Sequence, residues 1–76
     1  MKLTQQQLDQ AYLNLKKENP DKFVEIFRAP HLYISEDEVV TKINDVEQAH
    51  KGWKTTLSGY IEENGMKRTV VLHYKI

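Results

Sequence analysis

The chain has 76 residues, 39% hydrophobic and 29% charged, with eleven basic and eleven acidic side chains and a formal net charge of zero. That size predicts a single small domain over residues 1–76, and the absence of cysteine excludes both a disulfide framework and a thiolate metal centre. No apolar run approaches the ~20 residues of a membrane span, and Met1-Lys2 leads into the polar Thr4-Gln5-Gln6-Gln7, not an apolar signal core, so the expectation is a cytoplasmic protein whose modest core invites completion by a partner or a second copy.

The first predicted element is a helix over about residues 5–18. Thr4 and Gln7 have capping-box spacing, Leu3 and Leu8 the spacing of a hydrophobic staple. Leu8, Ala11, Tyr12 and Leu15 then fall at i, i+3, i+4 and i+7, one apolar stripe. A second helix is expected over about residues 20–28, with Asn19 as its cap and Pro20 at its first position. Phe23, Val24, Ile26 and Phe27 make it apolar around much of its circumference, and Pro30 would end it. His31-Leu32-Tyr33-Ile34 has strand-like composition and reads as an edge strand or an extended loop.

Ser35-Glu36-Asp37-Glu38 carries the signature of a capping box with acidic residues where the helix dipole favours them. Val39, Val40, Ile43 and Val46 continue at helical spacing, and Lys51-Gly52 reads as a helix end. The β-branched run from residue 38 to 43 would also suit a strand; capping and period favour an acidic third helix. Asn64-Gly65 between two alternating runs then predicts a C-terminal β-hairpin with a type I′ turn. Its register pairs Glu63 with Met66, Ile61 with Arg68, Gly59 with Val70, Leu57 with Leu72, Thr55 with Tyr74 and Trp53 with Ile76, which makes one face nearly all apolar. Gly59 leaves room for an incoming ring such as Phe23 or Phe27, or marks a bulge. The expected fold is α+β: two N-terminal helices and a third acidic helix packed on a small antiparallel sheet dominated by the hairpin.

Recognised chemistry is sparse. Gly52, Gly59 and Gly65 are isolated and form no phosphate loop, and Ser35 is explained as a cap. His31, His50 and His73 lack the spacing of a local metal motif and read as surface histidines, and acidic residues 36–38 do not alternate as a calcium loop requires. The expectation is therefore no enzyme, no cofactor and no metal.

Charge is segregated despite its zero sum, at +1 for residues 1–30, −4 for residues 31–50 and +3 for residues 51–76. The first functional reading is a small protein-binding inhibitor or adaptor that uses Glu36, Asp37, Glu38, Asp45 and Glu47 on the acidic helix together with a sheet edge, as a monomer or a homodimer. Its partner would be a basic protein, such as a host factor that itself binds nucleic acid. Size and compactness match many phage and mobile-element proteins that block such factors. The alternative reading is weak nucleic-acid binding by an exposed hairpin face, with Lys54, Lys67 and Lys75 around Tyr60 and His73. Seven residues between the expected second and third helices exclude a helix-turn-helix.

Overall fold

A computed structural model describes residues 1–76 as two helices and one three-stranded antiparallel sheet. The elements in chain order are α1 (Gln5–Glu18), β1 (Val24–Tyr33), α2 (Glu36–Ala49), β2 (Trp53–Glu63) and β3 (Met66–Lys75). The strand order is β1-β3-β2, so the last strand is central and flanked on both sides. No helix is long and apolar enough to cross a membrane.

Helix α1 begins at a complete capping box: the Thr4 hydroxyl accepts from the Gln7 amide at 3.1 Å and the Gln7 side chain accepts from the Thr4 amide at 2.9 Å. Leu3, Leu8 and Leu15 join Val24, Val70 and Leu72 in one buried cluster between α1 and the sheet, with Ile26, Leu57 and Ile61 packed around it.

The expected second helix is absent, and this is the main correction to the three-helix arrangement. Asn19 closes α1, its backbone N–H donating to the Leu15 carbonyl at 2.9 Å, and the chain then enters a strand. Val24, Ile26, Phe27 and Ala29 bring apolar side chains to both faces of the strand, Val24 and Ala29 buried and Ile26 and Phe27 half-buried, a pattern that a buried helix and a two-sided strand share. Val24 and Ile26 face α1, whereas the alternate residues Glu25, Phe27 and Ala29 face the other way. Pro30 is accommodated because β1 is an edge strand and its register shifts between Arg28 and Leu32, where no ladder amide is required. The Arg68 guanidinium fastens this irregularity: it donates to the carbonyl of Ala29 and to the Glu63 carboxylate, which it holds below the usual carboxylate range.

Helix α2 is capped by Ser35, whose hydroxyl accepts from the Asp37 amide at 3.1 Å, and it lies on the opposite face of the sheet from α1. Val39 and Val46 are its buried positions. Beneath it, Thr69, Val71 and His73 are at most 1% exposed and Tyr60 is also buried. The hairpin face expected to meet solvent is thus an interior face.

The hairpin turn carries Asn64 and Gly65 at φ of 52° and 78°, as a type I′ turn requires. The expected register holds from Glu63–Met66 out to Leu57–Leu72. A bulge then inserts one residue between Thr55 and Leu57, so that Thr55 pairs with His73, not Tyr74, and Trp53 with Lys75, not Ile76. Gly59 admits no aromatic ring. Instead the N-terminal segment lies along the β2 edge there, with Tyr60 N–H donating to the Met1 carbonyl at 2.9 Å and Leu3 N–H to the Tyr60 carbonyl at 2.8 Å.

A methyl group at residue 59 would collide with the Met1 carbonyl oxygen and press on the Leu3 side chain. Gly59→Ala is expected to displace the N-terminal segment and to cost about 1–3 kcal/mol, the usual range for an overfilled site. Thermal denaturation measures the loss, and faster hydrogen exchange of the Tyr60 amide locates it.

Candidate functional site

Two features of the α2 side of the sheet concentrate chemistry. The first is a cluster of histidine, carboxylate and aromatic side chains at the C-terminal end of the helix. His50 caps α2, its backbone N–H donating to Val46 O at 3.0 Å and its ring Nδ1 lying 2.9 Å from the same carbonyl. Lys51 and Gly52, the latter at φ 87°, then reverse the chain, and Trp53 N–H donates to the His50 carbonyl at 3.1 Å. The His50 and Trp53 rings meet edge to face, 5.6 Å between centroids.

His73, on β3, sits directly across the ladder from Glu25 on β1. Its ring centroid is 4.5 Å from Trp53 and 4.8 Å from His50. Phe23 and Phe27 border the group, Phe23 edge-on to Trp53 at 5.7 Å and Phe27 against His50 at 6.0 Å. The bulge is what brings Trp53 here: without the extra residue, alternation would send its indole to the α1 face.

His73 is 1% exposed, and its Nε2 has no hydrogen-bond partner; the nearest acceptor is a Glu25 carboxylate oxygen at 3.7 Å. Burial pushes the imidazole below its ordinary value, the Glu25 charge pulls it part of the way back, and His50 adds to the lowering. Of the three histidines expected at the surface, His31 is exposed, His50 half-buried and His73 enclosed.

The second feature is the outward surface of α2. Glu36, Asp37, Glu38, Asp45 and Glu47 are all exposed. Glu36 accepts from the Tyr60 hydroxyl at 3.0 Å, and burial together with that bond raises the Tyr60 phenol above its usual range. Asp37, Glu38 and Asp45 line a shallow hollow of about 270 Å³ with Tyr33, Thr41 and Lys42. Lys42 is the only cation of residues 31–50, and its Nζ lies 5.9 Å from the Phe27 ring centre. Ile34 and Val40 stand beside the acidic groups, 74% and 54% exposed.

The five residues of the alternative reading are not brought together on one open face. Tyr60 and His73 lie under α2. Lys67 and Lys75 occupy opposite ends of β3, eight residues or about 26 Å apart at the rise of a strand. Lys67 is also engaged locally, donating to the Ile34 carbonyl at 2.9 Å and lying 5.4 Å from the Tyr60 ring centre.

Sequence spacing missed the histidine cluster because Glu25, His50 and His73 are far apart along the chain and meet only through strand order. Comparison of the chain with protein-family models, curated proteins and solved structures finds no match.

The lowered proton affinity of His73 has a consequence for stability. In the unfolded chain its imidazole titrates near 6.5, whereas the folded value lies lower, so between the two the unfolded state binds more protons. The folded state is therefore favoured fully above pH 6.5 and loses stability as pH falls through that window. Urea unfolding between about pH 7.5 and about pH 5 is expected to show this slope, and His73→Leu to flatten it.

Proposed function

We propose that this chain is a small non-enzymatic protein-binding module, an inhibitor or adaptor acting in the cytoplasm, whose contact surface is the acidic outer face of α2. The observation that carries the reading is the placement of Asp37, Glu38 and Asp45 around one hollow, with exposed Ile34 and Val40 beside it. Carboxylates steer a basic partner into place, and apolar side chains that lose water on contact supply affinity that exposed ion pairs alone do not. A basic protein surface, including one that otherwise holds nucleic acid, is the complementary partner.

A sheet edge is the second contact in this reading. β1 is blunted by Pro30 and its register shift, and β2 is covered near Tyr60 by residues 1–3. Residues 53–58 of β2 carry no further strand on their outer side. A partner strand or a second copy of the chain would add there by backbone pairing.

The test is capture of partners by the full chain, with and without nuclease, compared with the variant Asp37→Lys/Glu38→Lys/Asp45→Lys. Glu36 is left in place because it holds the Tyr60 hydroxyl. A basic protein bound by the wild type should survive nuclease, leave at raised salt, and bind the variant at least about tenfold more weakly while circular dichroism stays unchanged. Equal capture by the variant, or loss of all bound protein on nuclease treatment, would sink the reading. Retention of nucleic acid that Lys54→Glu/Lys67→Glu/Lys75→Glu abolishes would favour the lysine surfaces instead.

A further inference from the structure

We infer that Glu25, His50 and His73 form a binding site for a single divalent transition-metal ion of the zinc class, which ties the C-terminal end of α2 to the sheet. One ligand atom from each residue lies within 4.8 Å of the others. Three separate elements supply them: β1, the cap of α2, and the central strand β3. A tetrahedral ion with ligand bonds of about 2.0–2.2 Å holds its donors roughly 3.4 Å apart. The His73 Nε2 to Glu25 separation of 3.7 Å is already close to that. His50 and Glu25 are only part-buried, and turning their side chains closes the remainder.

Two further observations point to a ligand. His73 Nε2 is enclosed at 1% residue exposure, has no hydrogen-bond partner and faces the carboxylate. A buried polar atom left in this state costs about 1–3 kcal/mol, a cost that a coordinated cation removes. His50, in turn, has its Nδ1 at 2.9 Å from the Val46 carbonyl, an arrangement in which Nδ1–H donates and Nε2 keeps its lone pair. Metal-bound histidines are oriented in this way, by a carbonyl or carboxylate on the other ring nitrogen.

The donor set decides the class of ion. Two imidazoles and one carboxylate suit zinc and its first-row neighbours, whereas calcium and magnesium take oxygen ligands. Trp53, Phe23 and Phe27 shield one side of the group, while Glu25 and His50 keep it in touch with solvent, leaving a path of entry and a position for water as fourth ligand.

The test titrates the untagged full chain with Zn²⁺ by calorimetry and thermal denaturation, and with Co²⁺ by visible absorption. The expected result is one ion per chain, with Tm rising by about 10–20 °C when free Zn²⁺ exceeds Kd by roughly a hundredfold. Co²⁺ should develop the absorption of a four-coordinate site and quench Trp53 fluorescence. His50→Gln and Glu25→Gln each remove a ligand outside the buried interior and should weaken binding at least about tenfold. His31→Gln, at an exposed histidine away from the cluster, should leave binding unchanged, as should an excess of Mg²⁺. Absence of heat and of a Tm shift with Zn²⁺, or shifts that persist in both His50→Gln and Glu25→Gln, would overturn the inference. So would binding lost in His31→Gln alone.

Discussion

Burial of β3 on both of its faces is the constraint from which the other features follow. Val70 and Leu72 point into the α1 cluster, and Thr69, Val71 and His73 point beneath α2. A chain of 76 residues without disulfides has little apolar surface to spare, and a strand covered on two sides uses each residue for one core or the other. The central position of β3 also sets its neighbours. β1 must pair along one side and β2 along the other, which leaves α1 and α2 to cover opposite faces. An arrangement with both helices on one face would have left Val71 exposed to water, with no core beneath α2.

The bulge in β2 is the second decisive element, and its effect is directional. A strand of unbroken alternation would place Trp53 with Leu57 and Ile61, beside α1. The extra residue between Thr55 and Leu57 reverses that parity, so the first part of β2 turns its large side chain toward His73 while the rest stays in register with the α1 core. Two neighbouring rings and a carboxylate then enclose a histidine that lies within the sheet. The histidines and Trp53 are consequently grouped at one end, around His73. At the other end Tyr60 reaches out to Glu36 and Lys67 to the Ile34 carbonyl.

Local signals were legible wherever the sequence carries the physics in adjacent residues. The Thr4 and Ser35 caps, the α1 stripe, the Asn64-Gly65 turn and the inner hairpin register all follow from short-range geometry. The failure at residues 20–28 has an equally physical cause. A strand covered on both sides loses the polar alternation that distinguishes strands, and Asn19-Pro20 suits the end of one helix as well as the start of another. A helix at residues 20–28 leaves β3 without its outer partner. Without that partner the hairpin's second face reads as solvent-facing, and His73 and Tyr60 with it. The acidic surface of α2 was readable because helical spacing places it. The Glu25–His50–His73 grouping was not, since it depends on a strand order that no local pattern encodes.

Helix α2 therefore has two different ends. At its N-terminus, Ser35 and the acidic residues 36–38 satisfy and complement the free amides, and the carboxylates remain open to water because only Glu36 is tied down, through Tyr60. At its C-terminus there is no basic residue in the last turn to complement the dipole, and His50 occupies the place where a cation is favoured. A positive ion held by His50, His73 and Glu25 would stand at that end, offset the partial negative charge of the free carbonyls and hold the helix against β1 and β3. The proposed contact surface and the proposed metal site then lie on one helix, with Asp37 about 20 Å and Asp45 about 7.5 Å from His50 along its axis at 1.5 Å per residue. Fixing one end of so short a helix limits the tilt available to the other, so order imposed at the histidine cluster is order imposed on the acidic face.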